Sequence, residues 1–148
     1  MAKILQISRG CEYALAAMRV LADLEPDAVI QAHQIARLAG VPAKFTANIL
    51  GQLVKFNLLQ VNRGAGRGYR LARPASQITV LEVIEAYDGA FTKPWCLMDS
   101  QRKCSPARSC PLHDSWQDMK ESVRATLARK KISDLATKGR KAKGGKRQ

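Results

Sequence analysis

Apolar residues along this chain recur mostly at intervals of three and four and alternate with polar ones only briefly, which predicts several helices and one small hairpin. From about residue 8, Leu15, Met18, Leu21 and Leu24, supported by Val20 and neighbouring alanines, mark one face of a first helix that stops at Glu25, Pro26 and Asp27. A second helix is predicted over 32–38 and ends at Gly40. A third opens after Pro42 and carries Phe45, Ile49, Leu50, Leu53, Val54 and Phe56 on one broad apolar face. Two short helices joined by so tight a turn make a helix-turn-helix, whose second helix can enter the major groove of DNA. On that helix the positions left outside the apolar face are Lys44, Thr46, Asn48, Gln52 and Lys55, small, polar or basic residues that suit a groove, although a solvated helix face looks similar.

The next segment completes a winged helix. Residues 58–62 read as a strand, 63–68 as a glycine-rich tip and 69–71 as the returning strand. Gly64, Gly66 and Gly68 alternate as in a dinucleotide-binding loop, but a strand follows instead of a helix, so that reading fails on context. Arg63, Arg67, Arg70 and Arg73 place guanidinium groups along the wing, where they can bind phosphates or reach a minor groove.

Thr79 and Glu82 then form a capping box on a helix whose Leu81, Val83, Ile84 and Tyr87 face the core, ending near Asp88 and Gly89. The DNA-binding domain is therefore expected over 1–89. From Pro111 a longer helix carries Leu112, Trp116, Met119, Val123 and Leu127 in a narrow seam flanked by Asp118, Lys120, Glu121 and Arg124. A seam outside the domain core needs a partner, and a second copy of the chain is the simplest, which predicts a symmetric homodimer through 112–137. Packing back onto the winged domain is the alternative. The expected fold class is thus mainly α with a small β wing, a winged helix-turn-helix plus a long dimerisation helix.

Charge adds a partner. The 148 residues carry a formal net charge of +13, with a pI near 10.1, which points to a polyanion such as double-stranded DNA. More than half of that excess lies beyond residue 128, where nine lysines and arginines face Asp134 alone. The stretch 138–148 is expected to be a disordered basic tail, either solubilising or touching DNA phosphates without sequence preference. No apolar run is long enough for a membrane span or secretory segment, so a cytoplasmic protein is expected.

Three of the four cysteines, Cys96, Cys104 and Cys110, fall within a short polar segment, 90–111, that runs on to His113. Thiolates are soft ligands for zinc or iron–sulfur clusters, and an irregular loop can fold three of them onto one centre. Seven residues separate the first pair and five the second, without the close pairs usual in structural zinc sites, so a cluster is favoured and zinc remains open. A disulfide suits an intracellular chain poorly, and cysteines as small core residues suit apolar faces better than this segment.

Four stretches together resemble the Rrf-type family of bacterial winged-helix regulators, with its IscR-like, NsrR-like and RirA-like members. They are Glu12-Tyr13-Ala14-Leu15, the wing from Arg63 through Gly66 to Leu71, the run from Ile78 to Ala86, and the cysteine trio leading into Cys110-Pro111-Leu112-His113 and Trp116. The likeness covers nearly the whole chain. It implies a homodimeric transcription factor whose three cysteines hold an iron–sulfur cluster, a [4Fe–4S] centre ahead of a [2Fe–2S] one. It also implies two candidates for the fourth ligand. His113 stands where IscR-like members place a histidine, and Glu12 where NsrR-like members supply a carboxylate from the partner subunit. Cys11 sits about 100° around the helix from Glu12, so the two do not face one centre. His33 belongs to the surface of the second helix. The cysteine spacing is closer to the RirA type, and the signal read by the cluster could be iron, redox state, oxygen or nitric oxide. Two other classes fit the sequence less well. A small iron–sulfur enzyme lacks any base–nucleophile arrangement around His33 or His113, and a winged-helix protein with structural zinc differs only in the metal.

Overall fold

A computed structural model of the chain describes residues 7–90, 96–99, 101–103, 105 and 110–137. The first helix, α1 (Arg9–Ala22), starts at Ser8, whose hydroxyl accepts from the Cys11 N–H at 3.1 Å, and it buries Cys11, Ala14, Ala17, Met18 and Leu21. Helix α2 (Ala32–Ala39) ends on Gly40 in the left-handed conformation at φ 71°, which a glycine adopts without penalty. Val41 and Pro42 then open α3 (Ala43–Lys55), so the turn between the helices is as tight as glycine followed by proline predicts.

Strands β1 (Leu59–Asn62) and β2 (Gly68–Leu71) form an antiparallel hairpin with Leu59 opposite Leu71 and Val61 opposite Tyr69. One feature had no sequence signal. Ile30, just before α2, exchanges backbone hydrogen bonds with Tyr69 at 2.8 and 3.0 Å, so the wing is stitched to the entrance of the helix-turn-helix. Helix α4 (Val80–Asp88) has the expected capping box, with the Thr79 hydroxyl accepting from the Glu82 N–H at 3.0 Å and the Glu82 carboxylate accepting from the Thr79 N–H at 2.7 Å. Burial alone would raise the Glu82 carboxyl, but the Thr79 N–H and the Arg73 guanidinium at 2.9 Å outweigh it and hold it below its ordinary value.

The long helix α5 (His113–Arg129) packs against α4, and Trp116 is buried there with the Lys120 ammonium 5.6 Å from its ring. After Arg129 the chain turns back. Lys131 bridges to Thr79, the Val80 N–H donates to the Lys130 carbonyl at 2.9 Å, and Ile132 on a short 3₁₀ turn is fully buried beside the winged-helix core. Thr137 closes on α1, donating to the Asp23 carboxylate through its backbone at 2.6 Å and through its hydroxyl. Leu127 also packs against the core. Part of the 112–137 region is therefore structurally part of the winged domain, as the packing-back alternative requires. Leu112 and Met119 remain exposed on α5.

The core face of α3 is narrower than its apolar residues suggest. Ile49, Leu50 and Leu53 are buried, but Phe45 and Phe56 are 42% and 48% exposed. At 100° per residue, Thr46, Ile49, Leu50 and Leu53 fall on one arc, Phe45 lies well off it, and Phe56 is beyond the helix end. The residues 1–6, and the tail expected at 138–148, lie outside the described residues.

Candidate nucleic-acid interface and cysteine segment

The narrow core arc of α3 decides which of its polar residues can meet DNA. Lys44, Asn48 and Lys55 are exposed on the side opposite the core. Thr46, expected in the groove, is buried instead, and its hydroxyl donates to the Pro42 carbonyl at 3.1 Å. A β-branched hydroxyl one turn into a helix can satisfy itself on the preceding carbonyl, which lets it sit among apolar neighbours. Gln52 is also diverted, since its side-chain amide donates to the Ala86 carbonyl at 3.2 Å and so ties α3 to α4.

On the wing, Arg63 and Arg67 are exposed at the tip and border a cleft of about 640 Å³ whose other wall is Gln31 and Ala32 at the start of α2. Arg70 is half-buried and donates to the Gln60 side chain across the hairpin at 3.1 Å, while Arg73 pairs with Glu82. The guanidinium groups left facing outward are those of the tip. Asn62 fixes the tip's shape by donating to the Gly66 carbonyl at 2.8 Å.

In the cysteine segment, Cys96 and Cys110 are free thiols, each half-buried. The Cys96 N–H donates to the Arg102 carbonyl at 3.0 Å, and Asp99 accepts from the Gln101 N–H at 3.0 Å and pairs with the Arg102 guanidinium at 3.0 Å. Cys110 and His113 share one turn, with the His113 N–H donating to the Cys110 carbonyl at 3.1 Å where α5 begins. Cys104 lies outside the described residues. Among the described residues, no three His, Cys, Asp or Glu side chains converge as a metal site. Thiols and an imidazole are nevertheless the donor chemistry of zinc and iron–sulfur centres.

Cys11 and Glu12 part company as their angular separation predicts. Glu12 is exposed, pairing with Arg9 at 3.8 Å, whereas Cys11 is fully buried. Burial and then the nearby Asp88 carboxylate push the Cys11 thiol up to about 12, so it is a core residue and a poor ligand. Asp88 had no sequence signal as a positioning group. It accepts from the Ser8 N–H at 2.8 Å and from the Ser8 hydroxyl, joining the end of α4 to the start of α1.

Residues 7–138 match the family model Rrf2, described as an iron-dependent transcriptional regulator. The chain belongs to the Rrf2 family. It is 28% identical over 128 residues to the HTH-type transcriptional regulator IscR of Xenorhabdus nematophila, covering 86% of this chain and 76% of that one. It is 29% identical over 132 residues to Rv1287 of Mycobacterium tuberculosis, whose name places it among HTH-type transcriptional regulators, with 89% and 81% covered. Among solved structures, CymR, the global cysteine regulator of B. subtilis, superposes with a TM-score of 0.76 at 21% identity over 90% of this chain and 97% of that one. T. potens IscR gives 0.71 at 22% identity over 97% and 93%. As an Rrf2 protein this chain is a helix-turn-helix transcriptional regulator that binds DNA, and its work is regulation and not catalysis. No helix among the described residues is long and apolar enough to cross a membrane.

Proposed function

We propose that this Rrf2 regulator is a homodimer whose DNA affinity is set by an iron–sulfur cluster on Cys96, Cys104 and Cys110. The fourth donor is either Glu12 of the partner subunit or His113. The observation that carries the reading is the contrast among the cysteines: Cys96 and Cys110 are free and half-buried on the polar segment, whereas Cys11 is sealed in the core. His113 supports a donor within the chain, because its backbone already closes a turn on Cys110. Glu12 supports a donor across the dimer, because its carboxylate is exposed and its ion pair with Arg9 spans 3.8 Å. Leu112 and Met119, exposed along α5, supply apolar surface for the second copy.

When bound, such a centre supplies a reversible, oxidant- and nitric-oxide-sensitive link among the thiolates. The chain's own part is positional. The cysteine segment leaves the end of α4, and α4 is fastened to α1 through Asp88 and Ser8, so a change in the segment reaches the helix on which α3 rests. DNA is met by Lys44, Asn48 and Lys55 in the major groove and by Arg63 and Arg67 on phosphates.

The test is a visible spectrum of anaerobically purified full-length protein, with iron and sulfide assays. Iron and sulfide in the protein, lost on changing Cys96, Cys104 or Cys110 to Ala but kept in Cys11→Ala, are the expected result. Zinc without sulfide would replace the cluster by a structural metal. A colourless protein free of bound metal would overturn both. Glu12→Ala and His113→Ala then assign the fourth donor by which one shortens the lifetime of the centre in oxygen.

A further inference from the structure

The aromatic residue displaced from the core of α3 stands at the edge of its DNA-facing side. Phe45 is 42% exposed, its ring stacks on Tyr13 of α1 with centroids 6.0 Å apart and planes at 24°, and the Lys44 ammonium stands 5.0 Å from its centre. Next to it opens a cleft of about 290 Å³ walled by Arg9, Tyr13, Phe45, Asn48 and Tyr87. Asn48 belongs both to this cleft and to the outward face of α3, so the cleft is continuous with the surface that meets the major groove. Across from Asn48, the Arg9 side chain is 78% exposed, and its ion pair with Glu12 spans 3.8 Å. A surface pair that long and wet is weak, so a phosphate can readily take the guanidinium from it.

We infer that this cleft extends the DNA interface beyond the recognition helix onto α1. Arg9 binds a backbone phosphate flanking the footprint of α3, and the exposed edge of Phe45, beside Asn48, packs against the C5-methyl group of a thymine at that border. Charge complementarity selects DNA as the occupant: one cation, one amide able to pair with a base edge and an apolar rim match phosphate, base and methyl group in adjacent positions. Tyr13 is the positioning residue, since its stack holds the Phe45 ring at the rim instead of letting it fold over α3.

The experiment uses the full-length protein and duplexes selected by it from a randomised pool. Arg9→Gln should weaken binding to all selected duplexes by a similar factor, on the order of severalfold at low salt, and flatten the log affinity against log salt plot by about 0.9 for each protomer bound. An unchanged salt slope overturns the phosphate contact. Replacing each flanking thymine by deoxyuridine, which removes only the methyl group, should cost the wild type severalfold at one position. Phe45→Ala should be indifferent to that replacement, and Phe45→Leu, which keeps an apolar rim and checks that folding is intact, should retain part of the discrimination. If the wild type is indifferent at every flanking position, or if Phe45→Ala discriminates as the wild type does, Phe45 only packs α1 on α3 and the base contact is wrong. None of these measurements involves the cysteine segment, so they stand or fall apart from the cluster.

Discussion

Gly10 lies so close to Tyr87 that a Cβ on it would come within 2.2 Å of the tyrosine ring. The contact joins the first turn of α1 to the last turn of α4, one residue from the place where Asp88 accepts from Ser8. Glycine at this point is a packing requirement, because the atoms in the way belong to a tyrosine ring that packs against the core.

Gly10→Ala should therefore destabilise the protein by about 1–3 kcal/mol despite the better helix propensity of alanine. Tyr87→Leu in the same chain should recover part of the loss. Denaturant melts of the two single variants and the double variant check this, and strict additivity would show that the residues do not meet.

A second glycine holds the wing. A Cβ at Gly68 would stand 2.5 Å from the Ile30 carbonyl oxygen and 2.8 Å from its carbon, both backbone atoms that cannot rotate aside. Gly68→Ala should break the Ile30–Tyr69 pairing and let the hairpin swing from the start of α2. DNA affinity should fall more than tenfold with a loss of thermal stability of only about 1–2 kcal/mol. Amide exchange at Tyr69, fast in the variant and protected in the wild type, reports the break directly.

The buried thiol and the capped carboxylate give opposite pH limits. Cys11 has a folded value raised from 9.0 to about 12, so its contribution is complete below pH 9 and is lost as pH rises from 9 toward 12, where only the unfolded chain releases the proton. Glu82 is lowered from 4.5, so its contribution is present above pH 4.5 and lost as pH falls below that. Cys11→Ala should remove the alkaline slope and Glu82→Gln the acid one. In reduced, metal-free protein at pH 8, iodoacetamide should label Cys96 and Cys110 and leave Cys11 untouched until the fold is melted. Peptide mass spectra that find Cys11 labelled early would contradict its burial.

Ile132 offers the plainest stability test. It is fully buried although it lies in a stretch whose sequence predicts dimerisation ahead of packing back onto the winged domain. Ile132→Ala should cost about 2–5 kcal/mol and lower the thermal midpoint without any dependence on protein concentration. A cost that grows as the protein is diluted would place Ile132 at an interface between copies.

What was legible in the chain was whatever depended on local spacing. The helices, the tight turn through Gly40 and Pro42, the hairpin and the Thr79–Glu82 capping box are each determined within a few residues, and each is present. Errors arose where a distant element decides the outcome. Gln52 reads as groove-facing until α4 offers the Ala86 carbonyl, whereas Thr46 misleads for a local reason, its hydroxyl being satisfied by the Pro42 carbonyl one turn back. Phe45 reads as core by type, but α1 provides a tyrosine ring to stack on and leaves it at the rim. Packing of residues 130–137 back onto the winged domain is open in the sequence as an alternative to dimerisation, but its partners, Ile78, Thr79 and Asp23, lie far back in the chain and carry no local signal. At the candidate metal centre, residue types and spacing were legible, while the choice between Glu12 and His113 depends on how two chains meet.

The backward path of residues 130–137 also sets a schedule for synthesis. Domains generally fold in order as they leave the ribosome, but this one lacks its Ile132 plug and its Thr137 clasp until the cysteine segment and the whole of α5 have been made. At roughly 5–20 residues per second, the nascent winged domain waits several seconds in an unfinished state. Its thiols emerge during that wait, before Ile132 reaches the Ile78 carbonyl and Thr137 reaches Asp23.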